Sequence, residues 1–150
     1  METYEFLELQ FDKFALRVPK GLYYAGYDTW VRVEGDEAVM GVTSYFETHV
    51  GDILYVDPVQ TDALEQDDVL ATVESVKATV DITCPASGEV IAFNAKLAEQ
   101  PQLVNRDPYG EGWIARVRLT DWDADQAMLL PAEGYMRLMQ DKVAKEREQA

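Results

Sequence analysis

The chain has 150 residues, 47% of them apolar and 27% charged, with a formal net charge of -15. That length fits one domain with a real core, and the composition is globular, not disordered. So acidic a surface repels nucleic acid and anionic membranes, so any charged partner surface should be basic.

The start, METYEFLELQFDKF, lacks the basic-then-apolar order of a secretory signal. No apolar run approaches the roughly 20 residues of a membrane span. With Cys84 the only cysteine, an intramolecular disulfide and a cysteine-rich zinc site are excluded, and a cytoplasmic protein is expected. Residues 1–20 mix acidic and aromatic side chains and form an N-terminal extension, either an edge strand or a cover over the core. TWVRVEGDEAVMGV then predicts a hairpin turning at Glu34-Gly35-Asp36. SYFETHV follows as a short helix capped by Thr43 or Ser44, with Glu47 at capping-box spacing from Ser44, and Gly51 ends it.

GDILYVDPV reads as a strand with Ile53 and Tyr55 on one face, Leu54 and Val56 on the other, and Pro58 as its stop. QTDALEQDD is acidic and turn-like. Val69, Ala71 and Val73 alternate along the next strand, and Val80, Ile82 and Cys84 along the one after it. EVIAF gives a further strand, and NAKLAEQ a short helix capped by Asn94. RDPYGEG is a tight connection into WIARVRLT, where Trp113, Ala115, Val117 and Leu119 share a face. A C-terminal helix places Tyr135, Leu138, Met139 and Val143 at helical spacing, and the charged tail beyond Val143 frays. Even, short strands with small helices predict a compact, mainly β domain at 21–140, followed by a charged tail at 141–150.

Within this pattern VESVKATVD raises a specific question. Two alternating strands flank it, so a hairpin folds between them with its tip at Ser75 to Ala78 and Lys77 projecting into solvent. No other lysine occurs from Gly21 to Ala95. A lysine at an exposed turn is ordinarily only solvated. A unique amine on a rigid protrusion is also what a modifying ligase needs, because fixing it lowers the entropy cost of docking.

ESVKA, with GDI some twenty residues before it, then SGEV and LVN-DPYGEGW in that order, closely resembles the H-protein family of the glycine cleavage system. The resemblance runs from about Trp30 to about Met136. It implies a barrel-sandwich hybrid, a lipoyl-domain-like fold of two small sheets with short helices and a C-terminal helix. It implies a lipoyl group in amide linkage on Lys77, Glu74 as a recognition residue for the lipoate-attaching enzyme, and a carrier that is not itself an enzyme. A biotin site usually has methionine beside the lysine, and here the neighbours are Val76 and Ala78.

Two departures matter. The family's His-Glu-Trp is Asp28-Thr29-Trp30 here, and the family's histidine helps line the cleft that shelters the loaded arm. The Leu-Pro-x-x-Gly turn is replaced by Asp57-Pro58-Val59-Gln60-Thr61. A paralogous group of H-like lipoate-binding proteins serves bacterial sulfur oxidation with a heterodisulfide-reductase-like complex. The loss of the histidine leans the expectation slightly to that paralogue, with glycine cleavage as the alternative and an unmodified interaction domain as the third reading. A docking carrier of either kind need not exceed a monomer.

His49 lacks a Ser-His-Asp or Cys-His setting and reads as a surface or packing residue. Cys84 falls on the inward rhythm of its strand, as packing. The PYGEGW glycines set a turn that a strand follows, so no phosphate loop forms. Asp67-Asp68 reads as a solvated face without calcium spacing, and Arg116 and Arg118 as partners for the acidic surface.

Overall fold

The computed structural model describes residues 4–149; Met1 to Thr3 and Ala150, the outermost residues of the expected extension and tail, lie outside it. Among the described residues, eleven strands form three antiparallel sheets. β1 (Phe6–Phe11) and β2 (Phe14–Pro19) make a two-stranded hairpin. A six-stranded sheet has the order β3 (Tyr23–Ala25), β4 (Thr29–Glu34), β5 (Glu37–Val42), β11 (Ala115–Leu119), β10 (Gly88–Phe93), β7 (Ala63–Leu64). A three-stranded sheet has the order β6 (Ile53–Pro58), β8 (Val69–Ser75), β9 (Thr79–Thr83). The helices are α1 (Ser44–Val50), α2 (Leu103–Arg106), α3 (Trp122–Gln126) and α4 (Ala132–Gln149), with a 3-10 turn at Ala95–Ala98.

The larger sheet is buried on both faces at β4 and β5, which is why these strands are rich in large apolar residues. Val31, Met40 and Val42 face a core shared with Ile53, Leu70, Val73 and Ile82 of the smaller sheet. Trp30 and Val39, from the same two strands, face the other way into a second cluster with Leu16, Val18, Tyr135 and Met139. Trp30 lies so flat on Gly41 that a Cβ there would sit 2.6 Å from the indole Cζ2. Its Nε1 donates to Val42 O and Pro108 O, so the buried ring leaves no unpaired donor. These packed layers are the expected mainly-β barrel-sandwich, with short helices and a C-terminal helix.

Several local expectations are corrected. β6 and β8 each carry a register irregularity, between Ile53 and Tyr55 and between Val69 and Ala71. A bulge adds one residue and shifts which side chains face inward. Ile53 and Val56 are therefore buried while Leu54 and Tyr55 are exposed, and Leu70 is buried in place of Val69. Ile114, which strict alternation puts on the face opposite Ala115, joins Ala115 in the inter-sheet core because β11 begins only at Ala115. Of the two expected caps, Thr43 is the one that caps α1, accepting from Phe46 N. Ser44 instead ties α1 to the N-terminal hairpin, accepting from Arg17 N at 2.8 Å and donating to Arg17 O at 2.9 Å. The helix expected to fray beyond Val143 continues to Gln149, held by the Glu146 carboxylate at α1. The acidic stretch read as turn contains β7, and α2 and α3 are two short helices the pattern does not show.

Candidate functional site: the Lys77 hairpin

The β8–β9 ladder ends at the pair Glu74↔Thr79, and Ser75 N donates to Ala78 O at 2.8 Å. Val76 and Lys77 form the tip inside the expected Ser75–Ala78 span. Two-residue hairpins ordinarily turn through positive φ, but neither tip residue has one. Ser75 supplies the closure: its Oγ accepts from Lys77 N (3.3 Å) and Ala78 N (3.1 Å). The serine of ESVKA is thus a turn brace, a role that alternation alone does not reveal.

A second brace comes from the loop after α1, where Val76 N donates to Asp52 O at 3.3 Å. Asn105 holds that loop in turn, accepting from Ile53 N at 2.9 Å and donating to Gly51 O at 2.8 Å. Gly51 ends α1 at φ 85°, the left-handed region that disfavours a side chain, and a Cβ on it would stand 3.5 Å from Lys77 Cε. The lysine stem therefore lies across a glycine and its amine is exposed. Neither Lys77 nor Glu74 makes a side-chain hydrogen bond or ion pair among the described residues. Glu74 stands opposite Tyr55 on β6 and Thr79 on β9, on the outward face of the sheet.

The structure does not bring Asp28 to this tip. Asp28 sits beside the start of α1, with its backbone carbonyl accepting from Thr43 N. The tip adjoins the other end of that helix, about 10 Å along its axis at 1.5 Å per residue. The Asp28 carboxylate pairs with Lys142 at 3.1 Å and accepts from Tyr135 OH at 2.8 Å, both on α4. His49, two residues before Gly51, is stacked on Tyr45 and paired with Glu146 at 2.9 Å. Burial opposes ionisation of Glu146, but hydrogen bonds from Tyr45 and His49 outweigh it and hold the carboxyl below the usual range. α4 thereby grips α1 at both ends.

An open groove of about 890 Å³ runs along the opposite side of α1, lined by Phe6, Phe14, Arg17, Glu47, Asn105 and Tyr109 among others. Burial, with Asp52 nearby, pushes the Glu47 carboxyl up to about 7. Cys84 is fully buried, and burial pushes its thiol up to about 12, so it packs and does not react. Of the two arginines expected to pair with the acidic surface, Arg116 pairs with Glu34 and Glu37, whereas Arg118 makes no ion pair among the described residues. Among the described residues no three His, Cys, Asp or Glu gather as a metal site, and no helix is long and apolar enough to cross a membrane.

The model of the Glycine cleavage H-protein family matches residues 22–142. The chain belongs to the glycine cleavage H-protein family. It is 41% identical to a glycine cleavage system H protein of Methylacidiphilum infernorum over 128 residues, which covers 85% of this chain and 99% of that protein. A second, from Bacteroides fragilis, is 42% identical over 121 residues, 80% of this chain and 95% of the other. The crystal structure of a glycine cleavage system H protein from Mycobacterium marinum superposes with a TM-score of 0.70 at 28% identity, covering 79% of this chain and 95% of that one. The β1–β2 hairpin precedes the span matched to the family. The H-protein relatives support glycine cleavage over the sulfur-oxidation lean. That lean rested on Asp28, whose pairing with α4 supplies a packing reason for the residue.

Proposed function

We propose that the protein is a lipoyl carrier of the glycine cleavage system, with the lipoyl group in amide linkage to Lys77 Nζ. The observation that carries this reading is one exposed, unpaired amine on a doubly braced tip, inside ESVKA, in a chain of this family. The residues fit the group: Gly51 leaves the lysine stem unobstructed, and no carboxylate needs displacing from Nζ. When bound, the dithiolane accepts two electrons and a group on sulfur, chemistry that belongs to the cofactor. The chain's own part is positional. Ser75 and Asp52 hold the tip, Asn105 holds the loop behind it, and Glu74 offers an unpaired carboxylate to the lipoate-attaching enzyme. Amide formation at Nζ also removes a positive charge, taking the formal net charge from -15 to -16. The protein acts as the substrate of its partner enzymes in the cytoplasm.

Peptide mass of the protein from lipoate-supplied cells should show one lipoyl group on the peptide containing Lys77, absent in Lys77→Arg. The loaded protein should support glycine-dependent turnover with glycine-cleavage partner enzymes, and Lys77→Arg should not. An unmodified Lys77 in cells that lipoylate other proteins would sink the carrier reading.

A further inference from the structure

The bulge in β6 has a chemical result at the hairpin. It turns Leu54 and Tyr55 outward, 57% and 54% exposed, beside Val76, which is 72% exposed at the tip. The Val76 N–H to Asp52 carbonyl bond joins the tip to the loop leading into Leu54, so the three belong to one surface. The register extends that surface down the outward face of the smaller sheet: Tyr55 opposes Glu74, Glu74 opposes Thr79, and Asp57 and Asp81 flank Thr72. β6, β8 and β9 contain no lysine or arginine. Among the described residues Lys77 is thus the one cation that β6 and the β8–β9 hairpin supply to an acidic face with an apolar lip.

We propose that this face, with Leu54, Tyr55 and Val76 at its centre and Asp57, Glu74 and Asp81 at its rim, is where the enzymes that act on Lys77 dock. The occupant is an apolar notch bordered by lysine and arginine at the mouth of such an enzyme's active site. The idea rests on the carrier reading above. Exposed apolar side chains ringed by charge have the anatomy of a docking centre and rim. The charge selects the partner, since a second copy would bring another -15 and the same acidic rim against this one. Acylation of Lys77 removes the face's cation, so the loaded carrier binds a basic partner more strongly than the unloaded one. Each enzyme that follows the attachment step therefore meets a more uniformly negative surface.

The test uses the full chain with a purified lipoate-protein ligase, ATP and lipoate, following lipoyl transfer to Lys77 by mass. Leu54→Ser/Tyr55→Ser should raise the KM for the carrier about tenfold with kcat little changed, as loss of a central apolar contact does. The wild-type KM should rise with added salt, and a Glu74→Gln/Asp57→Asn variant should flatten that rise. Ile91→Ser, an exposed apolar change on the other sheet, should behave as wild type, and thermal melts should confirm that every variant folds. Wild-type KM in the Leu54/Tyr55 variant overturns the proposal. So does a dimer of the wild type in sedimentation that this variant abolishes, because the lip would then be a self-association surface. A wild type that the ligase never loads overturns the carrier reading and this proposal with it, whereas normal loading of all variants overturns this proposal alone.

Discussion

Glu47 shows how a single residue ties stability to pH. Its carboxyl is raised from 4.5 to about 7 by burial, with Asp52 adding to the shift and the Thr48 hydroxyl opposing it. The fold therefore favours the protonated form. That contribution is fully present below 4.5 and is lost as pH rises through about 7. Glu47→Gln should be more stable than wild type at pH 8 by about 1 kcal/mol after solvent screening, and indistinguishable near pH 4.5. Urea melts at the two pH values check this. Ser75 carries a different kind of effect. Ser75→Ala strips the hydroxyl from both tip amides at a cost of about 1 kcal/mol, since the tip is exposed and water replaces part of the loss. Faster amide exchange at Lys77 and Ala78, with slower lipoylation and a fall in Tm of only about 2–4 °C, is the expected outcome. Alternation in the sequence places Lys77 at a tip; the Ser75 brace is a side-chain bond that periodicity does not encode.

Among the elements, α1 has the largest bearing on the site, because its end carries the glycine under the Lys77 stem. The Thr43 hydroxyl caps the helix and also shares a 2.7 Å hydrogen bond with Tyr135 of α4. Thr43→Ala should cost about 1–2 kcal/mol, read as a fall in the urea midpoint, with Thr43→Ser restoring most of it. The cap illustrates what was legible. A threonine and a serine before an apolar run announce a helix start, but choosing between them depends on the distant Arg17 and Tyr135. The strands divide in the same way. β4, β5 and the β8–β9 hairpin follow from alternation and turn residues. The faces of β6 and β8 do not, since a bulge at Leu54 or Leu70 arises from pairing with a neighbour remote in sequence. Asn105 stood inside the quoted LVN motif, yet its clamp on Gly51 and Ile53 needs the fold to bring residues about fifty positions apart together.

At the scale of the whole molecule, the net charge of -15 acts against compactness as well as selecting partners. Raising NaCl from dilute buffer to about 0.5 M, where the Debye length falls well below 10 Å, should raise Tm by a few degrees. A flat response would place the acidic groups too far apart to repel. The family and its layered fold were readable from motif order, while the meaning of Asp28 was not. In sequence it looks like the loss of a histidine; in the fold it anchors Lys142 and Tyr135 and so belongs to the helix that closes the molecule. The buried Cys84 has a practical corollary. With the chain's one sulfhydryl sealed inside, the native protein should be silent to maleimide until it is denatured. Any label taken up by a reduced, folded preparation would then count attached dithiols, making occupancy measurable on the unmutated protein without a mass spectrometer.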